Sequence, residues 1–256
     1  MNTPTIATEW ETHLAGIESN GDAGDGLLAR PENRFLAPLV KPNLNILEAG
    51  SGNGRYVFAF ARVGARAVGV DFSQVLTDKV EAQAKELNLK NVLAITGDIM
   101  NLPFEKDSFD LYTSFGVYEH FVLRQHKILF AEAFRVLKPG GILYLEVPQF
   151  WSAWTARREL RYWFRKIFPP KIVWQSNMRR VYMTDRAEEA GFTTVSSHVL
   201  DTWYGFQKGF SLDSKKLKSL PNPFYFFRAT LKSLAHHCDT REWFGHTLVY
   251  IGRKPH

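Results

Sequence analysis

A chain of 256 residues, 45% apolar and 23% charged, suits one soluble globular domain with room for insertions. No apolar run reaches the length of a membrane helix, the first twenty residues lack a secretory pattern, and the single cysteine, Cys238, excludes an internal disulfide, so a cytoplasmic location is expected. The net charge of +6 is uneven: residues 1–150 carry 14 Lys and Arg against 18 Asp and Glu, whereas 151–180 carry 8 against Glu159 alone, a local field that speaks for an anionic partner or surface.

In chain order, residues 1–18 read as a short helix with Trp10, Leu14 and Ile17, and 19–26 as a glycine-bearing loop. Phe35, Leu36, Leu39 and Val40 predict a short helix that stops before Pro42. A first strand follows at 45–49. Gly50, Gly52 and Gly54 then alternate ahead of a helix from Arg55 to Val63. A glycine turn between a strand and a helix start can wrap a ligand in backbone N–H groups. Arg55 stands where a Gly-x-Gly-x-x-Gly pattern needs its third glycine. That argues against a nicotinamide or flavin and for a nucleoside bearing an amino acid.

Ala67 to Asp71 reads as a second strand, and Ser73 as the cap of a helix in which Leu76, Val80, Ala84 and Leu87 recur at helical spacing. Asn91 to Thr96 and Phe109 to Phe115 are the next strands. Phe130, Ala133, Phe134 and Leu137 mark one helix face, and Lys138-Pro-Gly-Gly141 turns it into a fifth strand, Ile142 to Val147. Beyond Pro148, Leu160, Trp163, Phe164, Ile167 and Phe168 form an apolar helical stripe. Arg157, Arg158, Arg161, Arg165 and Lys166 lie mostly off it, and Pro169-Pro170 ends it. Thr184 to Gly191 suits a capped helix with a glycine stop. Thr193 to Leu200 and Thr247 to Gly252 suit closing strands around an aromatic and basic insertion at 201–245.

Strands alternating with helices imply parallel units in an open twisted sheet, with a ligand beyond the carboxyl ends of the strands. Those ends carry Glu48, Asp71, Asp98 and Phe115-Gly116.

Six stretches, in this order, carry a family resemblance: Ile46-Leu-Glu-Ala-Gly-Ser-Gly-Asn-Gly54; Val68-Gly-Val-Asp-Phe-Ser73; Gly97-Asp98-Ile99 with Leu102-Pro-Phe104; Ser108-Phe-Asp-Leu-Tyr112; Tyr118-Glu-His120; and Leu137-Lys-Pro-Gly-Gly-Ile142. Over residues 44–148 the chain resembles the class I S-adenosylmethionine-dependent methyltransferases, in the branch that includes the quinone and small-molecule enzymes. The resemblance implies an α/β, Rossmann-like, seven-stranded and mostly parallel sheet flanked by helices, with the last strand antiparallel. One domain over 1–256 is expected, with a cofactor-binding core at 44–148; the helical and aromatic insertions at 149–182 and 201–245 match no motif of the family and are expected to form a lid on the acceptor site.

The implied cofactor is S-adenosyl-L-methionine. Gly50, Ser51, Gly52 and Gly54 let the loop approach its amino-acid end. Glu48 receives the ammonium, Asp71 the ribose hydroxyls, Phe72 a face of the adenine, and Asp98 with the Ile99 backbone the adenine amino group. Phe115 opens the stretch 115–120 that borders the methyl group. His120 is the candidate catalytic base. It reads equally as a helix-start histidine bonded to backbone, and Tyr118 and Glu119 read as structural. His236-His237-Cys238 is too compact for zinc, so no metal is expected.

The implied function is methyl transfer to a small-molecule, lipid-linked or sugar-like acceptor on oxygen, with carbon and nitrogen left open. Alternatives are an RNA methyltransferase using the basic segment 151–180, and a non-catalytic cofactor-binding protein. That segment reads as a solvated face, as a lid whose arginines hold an anionic acceptor, or as a peripheral membrane contact with Trp151, Trp154 and Trp163 at the boundary.

Overall fold

The computed structural model describes residues 24–149, 178–200 and 247–256. The helix expected at 1–18, the aromatic stripe at 160–168 and the insertion at 201–245 lie outside the described residues.

Seven strands form one sheet: β1 Asn45–Ala49, β2 Arg66–Asp71, β3 Val92–Thr96, β4 Phe109–Phe115, β5 Leu137–Pro148, β6 Thr193–Leu200 and β7 Thr247–Arg253. Their order is β3-β2-β1-β4-β5-β7-β6. The first five run parallel to one another, and β7 runs antiparallel to both β5 and β6. Among the described residues the helices are α1 Arg55–Arg62, α2 Gln74–Glu86, α3 Leu123–Val136 and α4 Arg180–Glu189. The chain leaves β1 toward β2 on one side and later returns to β4 on the other. Such a switch point opens a crevice at the strands' carboxyl ends.

Strand alternation divides the core into two layers. Leu47, Tyr112 and Leu145 point to the side of Leu129, Phe130 and Met183, which come from α3 and α4. Ile46, Leu111 and Tyr144 point to the side of Val57 and Phe60, from α1. Two hydroxyls tie β4 to β1 near the crevice: Thr113 Oγ1 donates to the Leu47 carbonyl at 3.0 Å and Ser114 Oγ to the Ala49 carbonyl at 2.8 Å. Both hydroxyls are buried, so each bond satisfies a group that would otherwise cost free energy to desolvate.

Most expected elements form where the pattern placed them, and Ser73 does cap α2, accepting the Leu76 N–H at 3.3 Å. Three differ. The helix expected around Phe35–Val40 is instead a string of 3-10 turns at Leu27–Ala29, Pro31–Asn33 and Ala37–Leu39, because Pro31 and Pro38 lack the N–H that would continue a helical ladder. The helix before Gly191 begins at Arg180, so Thr184 sits inside it and does not cap it. The fifth strand begins at Leu137, five residues early, because Leu137 already pairs with Phe109 and the Gly140 N–H reaches the Lys254 carbonyl at 2.8 Å. Among the described residues, no helix is long and apolar enough to cross a membrane.

Candidate active site

The turn after β1 is built from left-handed glycines: φ is 77° at Gly50, 52° at Gly52 and 73° at Gly54. The Gly50 and Ser51 amides both donate to the Val70 carbonyl, at 2.8 and 3.0 Å, which draws the turn over the end of β2. A β-carbon on Gly50 would lie 2.5 Å from Val117 Cγ2. The missing side chain therefore lets the loop after β4 pack onto the turn. At Gly54, the residue before α1, a β-carbon would lie 2.7 Å from Val80 Cγ2. This glycine serves the packing of α2.

Three carboxylates stand at successive strand ends. Glu48 is buried and its Oε2 accepts the Val57 N–H at 3.0 Å, which satisfies an orphan amide in the first turn of α1. Burial pushes the Glu48 carboxyl well above the usual range; the Val57 bond opposes this, the charge of Asp71 adds to it, and Arg55 opposes it. Asp71 is buried as well. Its Oδ2 accepts from the Gly52 amide at 2.8 Å and its Oδ1 from the Ser73 amide at 3.0 Å. Asp98 is exposed and its Oδ1 accepts the Met100 amide at 2.8 Å.

These groups surround one cavity of about 540 Å³. Of the residues expected to bind cofactor, Glu48, Gly50, Ser51, Gly52, Asp71, Phe72, Asp98, Ile99 and Phe115 line it, as does His120. Gly54 does not; it shapes the turn from behind. Val117 falls in the expected 115–120 stretch; the sequence reading missed Arg55, Tyr56, Met100, Phe121 and Gln125, which also line the wall. Arg55 and Tyr56 open α1 directly after the glycine turn, and that position was their available signal. The Tyr56 ring stacks on Phe115 with centroids 3.7 Å apart, and its hydroxyl donates to Asn33 Oδ1 at 3.2 Å. Burial, with the nearby Glu146 charge next, holds the Tyr56 phenol protonated far above its ordinary range.

His120 closes the 3-10 turn Tyr118–His120 that follows β4. Its Nε2 is 3.8 Å from Oε1 of the buried Glu119, and its own N–H donates to the Val117 carbonyl at 3.0 Å. Tyr118 is buried in the core, with its hydroxyl 3.3 Å from the Leu129 carbonyl. Among the described residues no group of three His, Cys, Asp or Glu could hold a metal ion; His236-His237-Cys238 lies outside them.

The donor set fits S-adenosylmethionine. A buried carboxyl beside a second carboxylate favours a ligand that brings positive charge, and the cofactor carries an ammonium and a sulfonium. The glycine turn presents a cradle that β-carbons would fill.

Sheet order and site together define the class I methyltransferase fold. A chain from the complex of the Haloferax volcanii Trm112 methyltransferase activator with a methyltransferase superposes with a TM-score of 0.61 at 20% identity, covering 96% of this chain and 95% of that one. Geranyl diphosphate C-methyltransferase from Streptomyces coelicolor A3(2), solved with Mg2+, geranyl diphosphate and S-adenosyl-L-homocysteine, gives 0.58 at 17% identity over 86% of this chain and 77% of that one. Residues 47–145 match the family described as a methyltransferase domain. The demethylmenaquinone methyltransferase of Lactococcus lactis is 37% identical over 102 residues, 38% of this chain and 39% of its own length. Residues 47–145 thus carry a methyltransferase domain, and this stretch is similar to that of the quinone methyltransferases. The match spans about two fifths of that relative's length.

Proposed function

We propose that this chain transfers a methyl group from S-adenosylmethionine to a small-molecule acceptor, lipid-linked or sugar-like, and that the receiving atom is an oxygen. One observation carries the cofactor half of this reading. Glu48 is a buried carboxyl whose ionised form burial opposes, and a cationic group beside it would stabilise that form.

When bound, S-adenosylmethionine supplies an electrophilic methyl on a sulfonium, so positioning and exclusion of water account for much of the rate. In this reading Glu48 and the turn amides hold the amino-acid end and Asp71 the ribose. Phe72, Asp98 and Ile99 hold the adenine. Phe115, Val117 and Phe121, all on the cavity wall, keep water from the acceptor end, and their apolar surface supports a lipid-linked acceptor. His120, on the same wall, takes the proton from the acceptor hydroxyl as the methyl is received.

Two measurements separate the halves. Calorimetry with S-adenosylhomocysteine tests the cofactor site, and absence of binding by the intact protein refutes it. Mass spectrometry of cell extracts incubated with the protein and isotope-labelled S-adenosylmethionine tests the transfer. A labelled small molecule with its methyl on oxygen is expected. Label on RNA alone, on carbon alone, or on nothing overturns the acceptor reading.

A further inference from the structure

Behind the cavity wall lies a polar chain, from a buried histidine to a half-buried tyrosine, that neither the cofactor site nor the proposed base uses. His126, on α3, is fully buried. Its Nε2 lies 2.9 Å from the Tyr118 carbonyl, and its Nδ1 lies 2.8 Å from the Tyr182 hydroxyl on α4. A carbonyl only accepts, so Nε2 carries the proton. Nδ1 is then bare and accepts from Tyr182. The other acceptor near that hydroxyl, the Leu123 carbonyl, is farther away at 3.4 Å. Burial holds His126 below the usual imidazole range, against the pull of the Tyr118 carbonyl, and the neutral ring with its proton on Nε2 satisfies both bonds. The Arg186 guanidinium lies over the Tyr182 ring, 5.7 Å from its centroid, and is itself ion-paired with Glu189.

The segment held by this chain is the one that borders the cavity. Tyr118 opens the 3-10 turn, and Val117, His120 and Phe121 on either side of it line the wall. Within the segment, two backbone bonds give it shape: His120 N–H to the Val117 carbonyl and Phe121 N–H to the Tyr118 carbonyl, at 3.0 and 3.1 Å. Neither fixes the turn to a helix. His126 does so from α3, beside the Tyr118 hydroxyl's bond to the Leu129 carbonyl at 3.3 Å, and Tyr182 ties His126 in turn to α4.

We propose that His126 and Tyr182 are positioning residues: the Tyr182 hydroxyl, acting through the His126 ring, sets the placement of residues 117–121 against the cavity. Tyr182 lies on α4, two residues past the end of the basic segment 151–180. The anchor of the wall therefore comes from the element that follows that segment. The functional consequence rests on the cavity being the cofactor site; the positioning itself does not.

Amide hydrogen exchange on the full chain, with and without S-adenosylhomocysteine, tests the proposal, together with long-range nitrogen NMR of labelled histidine. The NMR experiment should find His126 protonated on Nε2 with Nδ1 accepting. Tyr182→Phe keeps the ring against Arg186 and removes only the hydroxyl. It should raise exchange at 117–121 roughly fivefold, the scale of one net hydrogen bond, and leave β1 and β2 unchanged. His126→Leu should do the same or more, and His126→Gln, which can donate to the Tyr118 carbonyl and accept from Tyr182, should restore slow exchange. In the intact protein the ligand should slow exchange at 117–121, and in Tyr182→Phe it should do so less. Unchanged exchange at 117–121, an equal rise across the whole sheet, or a proton on Nδ1 overturns the proposal. If the ligand binds no variant at all, the cofactor reading fails while the ligand-free comparison still decides the positioning role.

Discussion

The Gly52 amide donates to Asp71 Oδ2 across 2.8 Å, while Oδ1 of the same carboxylate takes the Ser73 amide at 3.0 Å. One buried side chain therefore fixes the glycine turn to the end of β2 and sets the start of α2. Asp71→Asn must present an NH2 to one of these two amides, because an amide side chain has a single accepting oxygen. Losing a charge-assisted bond costs about 1.5–3 kcal/mol, so affinity for S-adenosylhomocysteine should fall roughly 10- to 100-fold, with a lower Tm. Calorimetry and a thermal melt read both; wild-type affinity in the variant removes Asp71 from the site.

Glu48→Gln separates stability from binding. In the folded protein burial raises the Glu48 carboxyl above its unfolded value. Between those two values the folded state holds the proton and the unfolded state does not. Stability then falls as pH rises through that window and is fully present below the unfolded value, about 4.3 for a free glutamate. A neutral glutamine can keep the Val57 bond and avoids this cost. Glu48→Gln should therefore melt higher than the wild type at pH 8, the difference closing toward pH 4, while losing affinity for S-adenosylmethionine. In the wild type that affinity should drop as pH falls and Glu48 takes up a proton. Equal melting temperatures at both pH values would contradict the assignment.

The glycine turn and the strand-end acids were legible because their signals are local. Strand, turn and helix start are contiguous, and the acids sit where strands stop. The rest of the wall depends on contacts between distant parts of the chain. Tyr56 reaches Phe115 only once α1 has packed beside β4, and Asn33, which accepts from Tyr56, comes from a segment with no helical ladder of its own. His126 carried no signal of this kind, since its partners Tyr118 and Tyr182 are 8 and 56 residues away. Gly54 matched the glycine pattern, but its reason is Val80, from a helix the pattern does not include.

Gly50 and Gly26 both sit in the left-handed region, with φ of 77° and 63°. Alanine at either incurs backbone strain of about 1–2 kcal/mol. Only at Gly50 would the added carbon also meet a neighbour, Val117 Cγ2 at 2.5 Å; at Gly26 nothing lies within 4 Å. Gly26→Ala should lower Tm by a few degrees and bind S-adenosylhomocysteine normally. Gly50→Ala should push Val117 out of the wall and weaken binding well beyond what its own loss of stability explains. Equal affinities for the two variants would show that Val117 and the turn do not need their close approach.

His120 lines the cavity beside Val117 and Phe121, with Glu119 buried next to it. If it removes the acceptor's proton, it must be neutral to act, so the single-turnover rate should rise with pH as the ring loses its proton and then level. His120→Gln fills similar space without a titrating ring. Its rate should be lower by roughly 10²–10⁴-fold, the usual worth of a placed base, and flat across the same pH range, with affinity for S-adenosylhomocysteine unchanged. A slower variant that keeps the wild-type pH profile would mean that another group takes the proton and that His120 only shapes the wall. Unchanged rate and profile would leave it as the residue that closes the 3-10 turn through its bond to the Val117 carbonyl.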